Sequence, residues 1–197
     1  FGAAGLKPES ASSWELGADA RLELFGREDG LELGALHRHS QIDNLIGFFG
    51  FSYANIDAAD IDYSAARLTL RPLGWLSARL VYANTNARDA GDGQPLARRP
   101  RHGWSAELNL ERAPFAAQLA WREVGARIDT VYDDGGAWAG LGRVDAYDLL
   151  RASASWTLTP SLLVYIAADN ALDQSYEPVN GFQGAPRSVL VGVRVRP

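Results

Sequence analysis

Cysteine and methionine are both absent from this 197-residue chain. Without cysteine there are no disulfide bonds, thiolate zinc sites or cysteine nucleophiles. The chain begins at Phe1, whereas a translated chain begins with methionine, so we expect it to be a piece of a longer protein. The sequence also lacks any run near the roughly 18 consecutive apolar residues that a membrane-spanning helix needs, and it lacks the basic start and apolar run of a signal peptide.

Positive charge is not in excess. The chain has 19 Lys and Arg against 24 Asp and Glu, a formal net charge of −5. Phosphate binding needs a concentrated basic surface, so this balance argues against nucleic acid as a partner. Because 47% of the residues are hydrophobic, the chain can build the core of one domain or of two small ones.

Alternation of apolar and polar residues is the strongest pattern present, as in residues 104–111, 115–122 and 189–196. Successive side chains of a strand point to opposite faces, so each segment has one apolar and one polar face. Helical spacing fits these segments poorly, and we predict an all-β fold. Nine strands are expected, over residues 12–26, 31–43, 60–71, 75–88, 100–112, 115–132, 143–158, 162–175 and 187–197.

The predicted connections alternate between short and long. Long strands with short turns on one side and long loops on the other are typical of outer-membrane barrels. Soluble sandwiches have turns every 8–12 residues instead. The short turns are expected at 27–30, 72–74, 113–114 and 159–161, and the long loops, which should all open on the cell exterior, at 44–60, 88–99, 133–142 and 177–185.

Alternation alone does not separate a soluble β-sandwich from a membrane barrel, because both predict one apolar and one polar face. The aromatic residues favour the barrel, since six of them lie on the apolar phase and several of these are near strand ends, as in an interfacial girdle. The six are Trp14, Trp75, Tyr82, Trp104, Trp121 and Trp156. We therefore predict an antiparallel transmembrane β-barrel.

The phase of each strand predicts which side chains face lipid and which face the lumen. Glu107, Asn109, Arg122, Ser153 and Arg194 should face the lumen. The side chains expected to face lipid are Leu108, Leu110, Leu119, Ala154, Trp156, Val191 and Val193.

Three motifs carry a family resemblance. Residues 6–17 contain Leu-Lys-Pro-Glu followed by Glu-x-Gly, residues 169–176 read Asp-Asn-Ala-Leu-Asp-Gln-Ser-Tyr, and residues 181–194 lead into the last strand with Ala-Pro-Arg. In order and spacing they resemble motifs of TonB-dependent outer-membrane receptors, over nearly the whole chain. Residues 53–57 and 96–100 are similar to the branch typified by the vitamin B12 transporter.

This resemblance implies a 22-stranded barrel around an N-terminal plug domain. Residues 1–197 would be the C-terminal portion of that barrel, its last nine or so strands, with the plug and the TonB box absent. It also implies import of a large, scarce nutrient, a cobalamin or a metal–siderophore chelate, with energy from TonB. The expected partners are that nutrient, the TonB complex through the missing N-terminal region, and lipid of the outer membrane of a Gram-negative bacterium.

Catalytic and metal-binding motifs are not found. Nucleophile elbow, P-loop, zincin and dinucleotide-binding patterns are all missing, so neither an enzyme nor a cofactor is predicted. His37 and His39 lie two apart on one strand face and could begin a metal site, or be polar residues at the rim of a strand. Asp57, Asp60 and Asp62 lack the glycine and final Glu of a calcium loop and are read as solvated loop acids.

Candidate ligand-contact residues are Tyr132, Trp138, Phe182 and Arg122. Trp138 lies among glycines, where it could stack on a ligand or cover the barrel rim, and aromatic faces with Arg donors suit a large, partly polar chelate. Deleting 134–141 is expected to weaken binding and leave the barrel folded, on the premise that this loop adds no ladder hydrogen bonds. Asn170 and Tyr176 are expected to be structural.

Two other functions stay open from the residues alone. One is an outer-membrane barrel enzyme with a Ser-His dyad at its rim, and the other is a soluble β-sandwich binding module. Solubility separates the sandwich, because a barrel fragment would need detergent or refolding.

Overall fold

The structure, a computed structural model of the chain, describes residues 5–49, 52–133 and 135–195. Across those ranges the chain forms strands, turns and loops, and no helix is long and apolar enough to cross a membrane. The strands are β1 (Ser10–Leu24), β2 (Arg27–Phe49), β3 (Ser52–Leu73), β4 (Leu76–Asp89), β5 (His102–Arg112), β6 (Phe115–Val124), β7 (Arg127–Tyr132), β8 (Trp138–Val144), β9 (Tyr147–Thr159), β10 (Leu162–Asp169) and β11 (Ser188–Val195).

Nine strands form one sheet in the order β1-β2-β3-β4-β5-β6-β9-β10-β11, and β7 pairs with β8 in a separate sheet of two strands. Every neighbouring pair is antiparallel, which confirms the predicted all-β class. The connections after β1, β3, β5 and β9 are short and lie at one edge of the sheet, the short-turn edge. Those after β4, β6 and β10 are longer and lie at the opposite edge, the long-loop edge, as predicted.

The register separates an apolar face from a polar face. Directly opposed residues of an antiparallel pair point to the same side. Leu108 pairs with Leu119, whereas Asn109 pairs with Gln118, whose Nε2 donates a 2.9 Å hydrogen bond to Asn109 Oδ1. The residues predicted to face lipid thus share one side, the outer face, and those predicted to face the lumen share the other, the inner face.

The outer face is an apolar band with aromatic rings toward both strand ends. Tyr82 and Trp104 lie 4.5 Å apart between ring centroids toward the long-loop edge, and Phe115 and Trp156 lie 5.6 Å apart toward the short-turn edge. On β1 the apolar alternation covers residues 14–24. That length is about 34 Å along a strand and about 25 Å across a bilayer at the usual tilt, the height of a barrel's apolar band.

Within the described residues, no second sheet is available to cover this face except the short β7–β8 pair. Leu119, Trp156 and Val191 are 45%, 46% and 71% exposed. A soluble sandwich needs a second sheet packed on its apolar face, so the structure does not support the sandwich alternative.

The inner face carries paired charges along the first three strands. Glu32 Oε1 on β2 forms ion pairs with Arg71 Nη1 at 3.1 Å and with Arg21 Nε at 3.3 Å. Arg67 Nη2 lies 2.5 Å from Asp19 Oδ1. Charge on one face and exposed apolar side chains on the other are the inside-polar arrangement of a membrane barrel.

Of residues 44–60, predicted as a long loop, the described ones, 44–49 and 52–60, instead continue two strands. β2 runs to Phe49 and β3 begins at Ser52, so the pair extends beyond the rest of the sheet. The polar residues that suggested a loop bond to neighbouring backbone: Asn55 Nδ2 donates to Asn44 O at 2.7 Å. At the base of this extension Ala59 and Ala87 are buried beneath Leu96 of the connection after β4.

The predicted strand 115–132 is broken at Gly125, whose N–H donates to His102 O at 3.0 Å. A Cβ there would lie 2.4 Å from that oxygen, so glycine permits this close approach. The chain then leaves the sheet as β7 and returns as β8, so residues 138–142, half of the predicted loop 133–142, are strand. The premise that this loop adds no ladder hydrogen bonds is therefore wrong, although its ladder joins only β7 and β8.

The first short turn begins two residues earlier than predicted. It lies at Phe25 and Gly26, with φ of 58° and 69°, and residues 27–30 are strand. Gly30 is instead a point of close approach, because a Cβ on it would overlap Leu24 O. Trp75, expected in a strand, lies in the turn after β3.

The remaining predicted strands differ from the structure mainly at their ends. The strand expected over 162–175 stops at Asp169, because Asn170 begins a loop with a positive φ of 48°. The strand expected over 143–158 begins at Tyr147, since residues 143–144 belong to β8. The last two residues of the expected strand 187–197 lie outside the described residues.

Candidate ligand-binding rim

Three connections meet at the long-loop edge: residues 90–101 after β4, the β7–β8 hairpin after β6, and residues 170–187 after β10. Arg98 N donates to Ile128 O at 2.7 Å, which joins the first connection to the hairpin. Asn180 Nδ2 donates to Thr130 O at 3.0 Å, which joins the third connection to the same hairpin. Together they form one hydrogen-bonded unit, the loop rim.

Asp129 is the centre of this rim, and its side chain is fully buried. Its Oδ1 accepts hydrogen bonds from Arg98 Nε at 2.7 Å and from the Thr130 N–H at 2.8 Å. Its Oδ2 accepts a hydrogen bond from the Asn180 N–H at 3.0 Å. A single carboxylate on β7 therefore binds both of the neighbouring connections.

The electrostatics of Asp129 favour its charged form. Burial on its own raises the pKa of this carboxyl group, because a low-dielectric site disfavours charge. The Arg98 hydrogen bond and the backbone N–H groups of Asn180 and Thr130 act in the opposite direction and prevail. The pKa of Asp129 is consequently lowered from its ordinary value of 3.8.

Arg127, at the start of β7, is a second buried charge in the rim, 5% exposed. Its Nη2 donates to the backbone oxygens of Glu177 and Pro178, the latter at 2.7 Å. Its guanidinium lies 5.6 Å from the centre of the Tyr147 ring, which packs 4.7 Å from the Tyr176 ring. These contacts fix the connection after β10 against the base of the hairpin.

Asn170, expected to be structural, is 7% exposed at the start of this same connection. Its Nδ2 donates to Gln174 O at 2.9 Å and to Ala185 O at 3.1 Å, and its Oδ1 accepts from Gln174 N at 3.0 Å. With all three bonds directed at backbone groups of its own loop, the side chain holds the loop's shape.

Two of the predicted ligand-contact residues are brought together. Tyr132 ends β7 and Trp138 begins β8, and the two are cross-strand partners next to an irregularity in the ladder. Tyr132 is 36% exposed and Trp138 is 48% exposed. The hairpin tip thus presents two adjacent, accessible aromatic side chains above the buried Asp129.

The other two predicted ligand-contact residues, Phe182 and Arg122, lie away from the hairpin tip. Phe182 belongs to the connection after β10, where it is 69% exposed beside the rim anchor Asn180. Arg122 lies on the inner face of β6, opposite Ser105 and Leu149. No hydrogen bond or ion pair joins its guanidinium to any residue in the described ranges. It lines an open groove of about 260 Å³ together with Thr85, Ser105 and other residues of β4 to β6.

Sequence reasoning missed the residues that hold the rim together: Asp129, Arg98, Asn180 and Arg127. The one available signal was Arg-x-Asp within a short apolar strand, which places two charges on one face of β7. The partners are 31 residues before Asp129 and 51 residues after it, so no local pattern identifies them.

The barrel-enzyme alternative requires a serine beside a histidine, and one such pair lies on the outer face, where His37 Nδ1 is 2.9 Å from Ser64 Oγ. Among the described residues no carboxylate bonds the other nitrogen of this ring, so the group that orients a catalytic histidine is missing. No cluster of three or more His, Cys, Asp or Glu suited to a metal occurs in the part of the chain that the structure describes.

Comparison with known proteins identifies related sequences. A family profile described as TonB dependent receptor-like, beta-barrel, matches residues 1–171. The vitamin B12 transporter BtuB of Vibrio cholerae serotype O1 is 27% identical over 203 residues, covering 98% of this chain and 30% of that protein. The chain therefore spans less than a third of this relative's length.

Solved structures share the fold. The ferripyoverdine receptor of the outer membrane of Pseudomonas aeruginosa aligns with a TM-score of 0.76 at 17% identity, covering 96% of this chain and 27% of that one. The ferric-catecholate import receptor Fiu of E. coli aligns with a TM-score of 0.74 at 16% identity, covering 99% and 30%. The nine-stranded sheet is thus shaped like part of an outer-membrane receptor barrel.

Proposed function

The chain belongs to the TonB-dependent receptor β-barrel family, and on that premise we propose that it is part of an outer-membrane active transporter for a large, scarce nutrient. The nutrient is a cobalamin or a metal–siderophore chelate, and the TonB complex supplies the energy. The protein resides in the outer membrane of a Gram-negative bacterium and carries out no chemistry on its substrate. The similarity to a vitamin B12 transporter and to ferric-siderophore receptors supports this assignment.

In this proposal residues 1–197 are the C-terminal portion of a 22-stranded barrel. β1 and β11 are the two edges of the sheet, and unpaired edges are not tolerated in a membrane. Further strands of the same receptor pair with both edges and close the barrel. The plug and the segment that contacts TonB belong to the remainder of the receptor.

The observation that carries the ligand-binding role is the loop rim. The long-loop edge faces the cell exterior, and the rim holds Tyr132 and Trp138 exposed at a hairpin tip fixed from below by Asp129. Phe182 adds a third exposed ring from the neighbouring connection, and Arg122 offers an unpaired guanidinium on the inner face. Aromatic faces with a few polar donors suit recognition of a large, partly polar chelate.

Equilibrium binding to the intact receptor tests this role, with radiolabelled cobalamin and ferric siderophores as probes. Substituting Tyr132→Ala and Trp138→Ala together removes both rings and leaves the β7–β8 backbone pairing in place. We expect affinity for the bound nutrient to fall about tenfold or more, since buried aromatic contacts dominate recognition surfaces. The matched control is Phe25→Ala, an exposed aromatic in a turn at the opposite edge, which should leave affinity unchanged.

Unchanged affinity in the Tyr132→Ala, Trp138→Ala receptor would refute the role of the rim and locate recognition in the rest of the protein. Deleting 134–141 is a coarser version of the same test. It removes the hairpin tip and the β8 partners of Thr130, Val131 and Tyr132, but no hydrogen bond of the nine-stranded sheet, so the barrel should still fold. Failure to bind either class of chelate in the unmodified receptor would refute the proposed substrates.

A further inference from the structure

His37 and His39 stand side by side on the outer face, where the apolar band gives way to polar side chains. They are two residues apart on β2, so both side chains project from one face with Cα atoms about 7 Å apart. The His39 side chain is 28% exposed, and His37 is likewise only partly buried. Both imidazoles are therefore accessible from outside the sheet.

β3, which pairs with one side of β2, orients both imidazole rings. Ser64 is the cross-strand partner of His37, and its Oγ lies 2.9 Å from His37 Nδ1. Asp62 is the partner of His39, and its Oδ1 lies 2.8 Å from His39 Nδ1. A carboxylate accepts a hydrogen bond from Nδ1–H, which leaves the lone pair of a neutral imidazole on Nε2. In both histidines Nδ1 lies within hydrogen-bond distance of a β3 side chain, and Nε2 has no partner among the described residues.

β1, which pairs with the other side of β2, confines the same two imidazole rings. Trp14 on β1 is the cross-strand partner of His39. Its ring centroid lies 5.2 Å from the His37 ring and 6.1 Å from the His39 ring. The imidazoles are held between an indole on β1 and hydrogen-bond partners on β3, so little side-chain freedom remains to be lost when they bind a ligand.

Charge around the pair favours a cation. Asp62 supplies a negative charge, and the β4 partners of Asp62 and Ser64 are the neutral residues Asn86 and Asn84. No Lys or Arg is a direct cross-strand neighbour of either histidine on this face. Arg88 on β4 donates from Nε to Asn86 Oδ1 at 2.9 Å, two strands away from the histidines. An incoming cation therefore meets two nitrogen lone pairs and one carboxylate.

We propose that His37 and His39 form a two-imidazole site for a divalent transition cation, with Asp62 and Ser64 as positioning residues. Imidazole ligands suit Cu²⁺, Ni²⁺ and Zn²⁺, whereas Mg²⁺ and Ca²⁺ prefer oxygen ligands. Cu²⁺ binds most tightly of these, following the general order for divalent metals. Water occupies the other coordination positions, so binding is reversible. The site is independent of the transported nutrient and of the loop rim.

Cu²⁺ titration of the intact receptor, purified in detergent without a polyhistidine tag, tests the proposal. Equilibrium affinity and the nitrogen splitting of the Cu²⁺ electron paramagnetic resonance spectrum are the two readouts. His37→Gln and His39→Gln each remove one ligand while keeping a polar side chain of similar length. His102→Gln is the matched control, because His102 lies on the same outer face without a second histidine on its strand.

We expect a Cu²⁺ site with two coordinated imidazole nitrogens that Mg²⁺ and Ca²⁺ do not displace. His37→Gln or His39→Gln should weaken it about tenfold or more and leave one nitrogen, while His102→Gln changes neither readout. Asp62→Leu should weaken it by a similar factor because His39 loses its orienting partner.

Retention of affinity and of the two-nitrogen spectrum in both His→Gln variants, or an equal loss in His102→Gln, would overturn the site. Unchanged affinity in Asp62→Leu would overturn the positioning role. The heat-dependent gel shift of folded barrels confirms that each variant is folded.

Discussion

Substituting Asp129→Ala in the intact receptor should loosen the loop rim without unfolding the barrel. The buried carboxylate accepts hydrogen bonds from Arg98 Nε at 2.7 Å, Thr130 N at 2.8 Å and Asn180 N at 3.0 Å. Alanine leaves the two backbone N–H groups without these acceptors. β7 and β8 pair only with each other, so the sheet itself loses no hydrogen bond.

The magnitude follows from what is left unpaired. A buried donor without a partner costs about 1–3 kcal/mol, and two such donors remain. The loss of the Arg98 hydrogen bond adds little to this cost, because the Arg98 side chain is 47% exposed and its guanidinium can bond water instead. The rim is therefore destabilised by about 3 kcal/mol, which is at the low end of the range for breaking a buried ion pair. At about 1.4 kcal/mol for each factor of ten, the rim should open about a hundredfold more often.

Hydrogen–deuterium exchange measures this opening directly. In Asp129→Ala, the amides of Arg98, Thr130 and Asn180 should exchange about a hundredfold faster, while amides within β5 and β6 keep their protection. Asp145→Ala is the matched control in the same hairpin, since its carboxylate is 96% exposed and lies 4.0 Å from Arg143. Equal effects from Asp129→Ala and Asp145→Ala, or unchanged protection in the rim, would refute the anchoring role of Asp129.

Three further predictions concern the faces of the sheet and the ionisation of the rim. Leu108→Arg should lower the free energy of unfolding in lipid by about 2–4 kcal/mol, while Asn109→Arg should have little effect, as denaturant titration would show. Gly192→Ala places a Cβ 2.2 Å from Tyr165 Cζ and should destabilise the barrel by about 1–3 kcal/mol, a loss that Tyr165→Ala in the same chain should reduce. Because the pKa of Asp129 is lowered on folding, its stabilisation is present above its ordinary pKa of 3.8 and is lost as the pH falls through the lowered value. The stability difference between the unmodified receptor and Asp129→Asn should accordingly stay constant at higher pH and close only below that range.

The sequence predicted well what depends on neighbours along the chain. Side chains alternate between faces with a period of two in every paired strand, so the phase of Leu108 and Asn109 could be assigned without knowing their partners. The register then placed Leu108 opposite Leu119 and Asn109 opposite Gln118. The edge at which each connection lies followed in the same way, because antiparallel neighbours reverse direction at every step.

What the sequence did not reveal depends on distant contacts. The break after β6 arises because Gly125 approaches His102 O, on the preceding strand, and nothing local distinguishes it from a continuing strand. Residues 44–60 were read as a loop because of their Asp, Asn and Gly residues. Asn55 instead bonds the backbone of the neighbouring strand at Asn44 O, so turn-forming residue types alone did not identify a loop.

The site was predicted unevenly for the same reason. Exposed aromatic residues near turn-forming glycines, such as Trp138, can be recognised from the sequence because their surroundings are local. The bonds from Asp129 to Arg98 and Asn180 join residues 31 and 51 positions apart, and only the folded chain brings them together.

The most direct test of the account is whether the two faces of one strand meet lipid and water. This chain contains no cysteine, so single cysteines introduced at residues 104–111 of the intact receptor in lipid can each carry a spin label. Collision rates with oxygen, which concentrates in lipid, should peak at Ala106, Leu108 and Leu110, and those with a water-soluble nickel complex at Ser105, Glu107 and Asn109. Rates without this period of two, or nickel collisions that peak at Leu108 and Leu110, would contradict the assignment of this sheet to a membrane barrel.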